Sequence, residues 1–342
     1  MKRMPAGRSR PNSRCGRRWS SPPACASIEL RKLRPGSLIS AALLVPLAAW
    51  GGGCASKPPA AAKPAAAPKP AQAPIREQTV HFRGVDVELS GILFEPAAPA
   101  RRGERRPAAV LMHGGSGMFT SSGRLPARNR DWAERFAGRG FVALNVDSFT
   151  PRGIRSVCEI KVSERPAQPW ETRVADAYAA LDWLVRRADV DPKKVLAVGW
   201  SHGGSTVMGI AGLNALGRRA NGPHFRAAIA FYPGCVQPLR AKGYQATMPV
   251  LILQGEQDDW SPAAPRVELT KKLENARFPP ALIVYPGAHH GFDSPGDKVT
   301  YLPKVYNPRA PGERGAYAGG HEPSRLKSID DVNRFLDQHF AR

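Results

Sequence analysis

Six continuous apolar runs recur along the chain: AAVLMHG (108–114), FVALNVDSF (141–149), KVLAVGW (194–200), RAAIAFYPG (226–234), MPVLILQGE (248–256) and ALIVYPG (281–287). Stretches of helical period separate them, at 130–140, 171–190, 201–216, 263–276 and 328–340. In the second of these, Val174, Tyr178, Leu181, Leu184 and Val185 share one face. A strand that is apolar at every position has no solvated face. Such strands belong to a mainly parallel sheet covered by helices on both sides. Two alternating segments upstream, EQTVHFRG and VDVELSGILFEP, predict a hairpin at the sheet edge. The expectation is one α/β domain over 77–342. The Gly/Pro/Tyr-rich segment 294–324 is expected as a surface loop or a lid.

Residues 1–76 do not fit that pattern. SLISAALLVPLAAW (37–50) is an apolar stretch too short for a transmembrane helix, which needs about 20 such residues. LRKLRPG precedes it and GGGCAS follows, as in a secretory signal. The small residues before Cys54 resemble a bacterial lipoprotein signal, in which the cysteine carries the lipid. Gly51 stands where that signal prefers leucine, so a simply cleaved leader is the other expectation. No methionine lies between Met4 and Met112, so the start is expected downstream, at a non-AUG codon near Leu30 or Leu33. The Ala/Pro/Lys-rich segment 55–76 cannot bury a core and reads as a spacer. The expectation is an exported protein of the cell envelope or periplasm. Any contact with a membrane is expected through a lipid anchor on Cys54.

The formal charge of +22 suggests nucleic acid only until it is divided along the chain. Residues 1–54 hold ten Lys/Arg against Glu29 alone, and the remaining excess is spread thinly, without a run of five like charges. That distribution describes a solvated basic surface and implies no nucleic-acid partner.

The sequence AVGWSHGGS (197–205) falls where an apolar run ends and a helix is expected to begin. That placement suits a G-x-S-x-G nucleophile elbow. Gly199 and Gly203 clear space for the crossing chain, Ser201 stands free, and the N–H of His202 at the helix start faces developing negative charge. A serine hydroxyl needs a base, and the base needs a carboxylate to orient it. The next runs end in Glu256, Asp258 and Asp259, and then in His289 and His290. The order serine, acid, histidine at the ends of successive strands matches what this fold demands. His113 and the side chain of His202 read as structural. Trp200 and Trp260 read as pocket lining or core. Arg152 reads as a substrate anchor or, more simply, as half of an ion pair.

Taken together, GWSHGG, GEQDDWSP, YPGAHHGFD and DSFTPRGI (147–154) resemble the dienelactone hydrolase family of α/β-hydrolases. The similarity spans nearly all of 77–341. It implies an α/β-hydrolase fold and takes Asp258, fourth in a Gly-x-x-Asp turn, as the acid. It takes His290, just before a Gly-Phe pair, as the base, and Gly115 as the second oxyanion donor. The family's founding members use cysteine where Ser201 stands, so the implied activity is a more general hydrolysis of small esters or lactones, without a cofactor. A peptidase or acyltransferase on the same three residues, and a non-catalytic envelope-tethered binding protein, remain as rival readings.

Five cysteines occur, three of them before residue 55. Cys158 and Cys235 follow strand-end loops on one edge of the expected sheet, and a disulfide between them is expected. No Cys/His/Asp cluster has metal-ligand spacing, so no metal is implied.

Overall fold

A computed structural model of the chain describes residues 74–341. The leader, the spacer up to residue 73 and the lipidation candidate Cys54 lie outside the described residues. The strands are β1 (Ile75–Arg83), β2 (Glu88–Pro96), β3 (Arg106–Met112), β4 (Val142–Asp147), β5 (Val190–Trp200), β6 (Ala227–Phe231), β7 (Val250–Gly255), β8 (Ala281–Tyr285), β9 (Thr300–Tyr306) and β10 (Arg314–Ala318). The helices are α1 (Ala127–Gly138), α2 (Thr172–Val185), α3 (His202–Ala211), α4 (Val236–Arg240), α5 (Ala264–Lys272) and α6 (Glu322–Phe340).

Eight strands form one sheet in the order β1-β2-β4-β3-β5-β6-β7-β8. The first two pairings, β1–β2 and β2–β4, are antiparallel, and every later pairing is parallel. This is the expected α/β-hydrolase architecture. Along β3, Ala108, Val110 and Met112 pack into one core with α2 and α3, whereas Ala109 and Leu111 pack into the other with α1 and α6. The period of two divides the apolar run between two buried faces, which is why the run has no polar position.

The strand order fixes where a site can form. From β3 the chain turns outward to β4, then crosses back and places β5 on the other side of β3. A crevice opens at the carboxyl ends of β3 and β5, where this reversal occurs. Gly114 and Gly115 follow β3, and Ser201 follows β5.

Three differences from the sequence reading have local causes. β1 begins at Ile75, inside the segment read as spacer. α6 begins at Glu322 rather than 328, because Pro323 sits in its first turn, where a missing N–H costs nothing. The segment 294–324, expected as a surface loop or a lid, carries regular structure and walls part of the space around Ser201. It contains the antiparallel β9–β10 pair, stapled to the sheet's carboxyl edge. Tyr306 N–H donates to Cys158 O (2.8 Å), Trp260 Nε1 donates to Tyr306 O (2.9 Å), and Gly319 N–H donates to His290 O (2.9 Å).

Candidate active site

Ser201 lies between β5 and α3 with φ +53° and ψ −111°. A side-chain-bearing residue rarely adopts that conformation, and the surrounding structure must hold it there. The two flanking glycines explain how. A Cβ on Gly199 would stand 2.2 Å from Gly203 O, and one on Gly203 would stand 2.0 Å from Met112 O. Only bare backbone lets α3 leave the sheet so tightly. Ser201 N–H donates to Phe231 O (2.9 Å), and Ser201 O accepts from Ser205 N–H (2.8 Å). Among the described residues the Ser201 hydroxyl has no hydrogen-bond partner. Likewise, the N–H groups of His202 and Gly115 donate to no group among those residues, and Gly115 packs beside His202.

Asp258 and His290 meet directly. His290 Nδ1 donates to Asp258 Oδ2 at 2.9 Å, and both residues are buried. This bond leaves Nε2 of the imidazole as a lone-pair acceptor. Asp258 Oδ1 accepts from the N–H groups of Trp260 (3.1 Å) and Ser261 (2.7 Å), and Gln254 Nε2 donates to Oδ2 (3.1 Å). Burial pushes the Asp258 carboxyl up, but His290, its hydrogen bond and the Ser261 N–H outweigh it, so the pKa lies below the ordinary value. The neighbouring candidates are occupied elsewhere. The Asp259 carboxylate accepts from Tyr317 N–H (3.0 Å) on β10, and Glu256 accepts from Gly287 N–H (3.0 Å). The His289 ring lies against Tyr317.

Ser201 lies where two cavities meet. The larger, of about 780 Å³, is bounded by Gly115, His202 and Trp260, among others. The smaller, of about 580 Å³, is bounded by Gly115, Trp260 and His290. Ser201 and His290 therefore face one space without a hydrogen bond between them. Catalytic contacts of this kind often close only once substrate is bound.

The histidines on the β3 and β5 loops are structural. His113 Nδ1 donates to Gly114 O (2.7 Å), bracing that loop. Arg173 Nη1 donates to His202 Nδ1 (2.9 Å), which places the His202 proton on Nε2. Burial and then the nearby Arg173 charge hold both imidazoles well below their ordinary pKa, so both are neutral. Arg152 is taken up by Asp86 and by the buried Asp176 (2.8 Å), and it does not reach the site. Trp200 is fully buried, and Trp260 lines both cavities.

The expected disulfide is absent: Cys158 and Cys235 are both free. Both line the larger cavity without a bond between them: Cys235 is fully buried, and Cys158 lies against the Gly115 loop. Burial raises the pKa of both thiols, that of Cys235 to about 11. Among the described residues no group of three or more His, Cys, Asp or Glu side chains is arranged to hold a metal ion.

Several residues at the site carried no sequence signal. Ser261 Oγ lies 3.2 Å from His290 Nδ1. Tyr232 holds φ +37°, and its ring centroid stands 4.5 Å from that of His290. Its hydroxyl donates to Asp293 Oδ1 (2.6 Å), while Trp132 Nε1 (2.9 Å) and Trp200 Nε1 (2.7 Å) both donate to Asp293 Oδ2. Asp293 is fully buried. This one carboxylate joins the residue before Ser201 to the loop carrying His290. Only the Asx-type turn after Asp258, which recruits Ser261, could have been anticipated from the sequence.

Comparison with known proteins places the fold in a family. A non-reducing polyketide synthase, ausA, of Emericella nidulans is 29% identical over 169 residues, 46% of this chain. The chain spans only 6% of that synthase's length. A probable 2-oxo-3-(5-oxofuran-2-ylidene)propanoate lactonase of a Bradyrhizobium species is 25% identical over 63% of this chain and 85% of its own. Among solved structures, Thermogutta terrifontis esterase 2 phosphorylated by paraoxon superposes with a TM-score of 0.54 at 24% identity, over 77% of this chain and 94% of its own. The model of the dienelactone hydrolase family matches residues 89–314, about two thirds of the sequence, and the chain belongs to that family.

Proposed function

We propose that the chain is a serine hydrolase of carboxylic esters or lactones. Ser201 Oγ attacks the carbonyl carbon while His290 Nε2 takes its proton. Asp258 keeps the imidazole in the required tautomer and stabilises the cation it becomes. The N–H groups of His202 and Gly115 stabilise the oxyanion. Collapse of the tetrahedral intermediate breaks the ester bond, and His290 returns the proton to the leaving alcohol. Water, deprotonated by His290, then cleaves the acyl–Ser201 ester and regenerates the hydroxyl.

One observation carries this reading. A serine held at positive φ at the end of β5 shares a cavity with an imidazole that donates at 2.9 Å to a buried carboxylate. Family membership supports it, and so does the lactonase relative. The test is labelling by a fluorophosphonate probe with turnover of short aryl esters. Ser201→Ala is expected to abolish labelling and to lower kcat by at least about a thousandfold. A folded wild-type protein that neither labels nor turns over would refute the assignment.

A further inference from the structure

Four arginines, Arg165, Arg240, Arg266 and Arg309, line the larger cavity beside Ser201, and no aspartate or glutamate among the described residues does. None of the four forms an ion pair among the described residues. Arg152 nearby is neutralised by Asp86 and Asp176, and the smaller cavity, which Arg128 lines, also holds Asp297. Arg266, in the first turn of α5, is the most constrained of the four. It is only 2% exposed, and its Nη1 donates to Pro262 O. Its Nε and Nη2 are buried without a partner among the described residues. These two nitrogens form the side-on edge of the guanidinium, the edge that grips a carboxylate through two parallel N–H···O bonds. A buried charge with two idle donors is costly to maintain. The nearby Asp258 carboxylate offsets the charge from a distance but fills neither donor, because its oxygens are engaged by His290, Gln254 and the turn at Ser261.

The two cavities also differ in which half of an ester they suit. His290, which delivers the proton to the leaving alcohol, lines the smaller one. His202, whose N–H faces the oxyanion, lines the larger. The alcohol part therefore belongs on the His290 side and the acyl chain on the arginine side. We propose that the larger cavity is a subsite for a carboxylate on the acyl part of the substrate, with Arg266 as inner anchor and the exposed Arg240 and Arg309 at its mouth. The preferred substrates are then half-esters of dicarboxylic acids. This assignment rests on the hydrolase reading of Ser201.

The test compares three esters on the purified full chain by acid release: monomethyl glutarate, methyl valerate and O-valeryl glycolate, which carries its carboxylate on the alcohol side. The expected kcat/KM for monomethyl glutarate exceeds that for methyl valerate at least tenfold, mostly through KM. That ratio falls close to one in Arg266→Gln and by about threefold in Arg240→Gln and in Arg309→Gln. Arg219→Gln, in an outer ion pair with Asp182, leaves the ratio as in the wild type. The two exposed positions carry the test if Arg266→Gln does not fold. Absence of preference, a preference indifferent to these arginines, or a greater gain with O-valeryl glycolate overturns the subsite. Calorimetric binding of free glutarate to Ser201→Ala separates the two claims. Binding that needs Arg240 and Arg309, in a wild type that hydrolyses no ester, overturns the hydrolase and keeps the subsite. Hydrolysis of methyl valerate without glutarate binding overturns the subsite alone.

Discussion

Asp258 and Asp259 are adjacent carboxylates on one turn, and their surroundings give them different work. Asp258 accepts from the imidazole and from two turn N–H groups, whereas Asp259 secures β10 through Tyr317. Asp258→Asn presents an amide where His290 needs an acceptor, and it favours the wrong tautomer. We predict that kcat for a short ester falls about a thousandfold or more with little change in KM. Asp259→Asn keeps an oxygen for the Tyr317 N–H, and its kcat should stay within about threefold of the wild type. Equal losses in the two variants would refute this division. Steady-state kinetics on both proteins decide it.

At the scale of elements, the sheet was legible because each parallel strand is a run without polar interruption, and the elbow because glycine is required at 199 and 203. Asp258 and His290 could be placed at strand ends by the same logic. The β9–β10 pair was not legible. Pro303, Gly312 and Gly315 break its pattern, and its hydrogen bonds run to loops far away in the chain. α4 is five residues long, too short for a periodicity to register. The Asp293 carboxylate was equally invisible, since its three donors come from α1, β5 and the end of β6. Asp293→Ala leaves two indole N–H groups and a phenol buried without their acceptor. We predict a loss of about 3 kcal/mol or more in urea unfolding at neutral pH. Asp293→Asn should lose less, because it retains one acceptor oxygen. A neutral Asp293→Ala would show that the network contributes little to holding these elements together.

Over the whole molecule, two buried imidazoles set how stability responds to acid. His113 and His202 are held neutral in the fold but take up protons near pH 6.5 once unfolded. The unfolded chain therefore binds more protons below that value, and the stability present above it is lost as pH falls. Each group contributes a slope that climbs from about 0.7 kcal/mol per pH unit at pH 6.5 towards about 1.4 below pH 5.5. Asp258, with its lowered pKa, adds a loss in the same direction only below the ordinary carboxylate range, whereas burial raises Asp176 and opposes it there. Urea unfolding at pH 6.5 and 5.5 should differ by about 2 kcal/mol, and His113→Gln should roughly halve that difference; equal stabilities at the two pH values would count against two buried neutral imidazoles. The meeting of the two cavities at Ser201 has a last consequence, for traffic. On the proposed hydrolase reading, the first product would depart through one cavity while the second is still tethered, and the vacated side would admit the water that frees it. An incoming molecule would then need no turning around, and the order in which its fragments exit would follow from the floor plan.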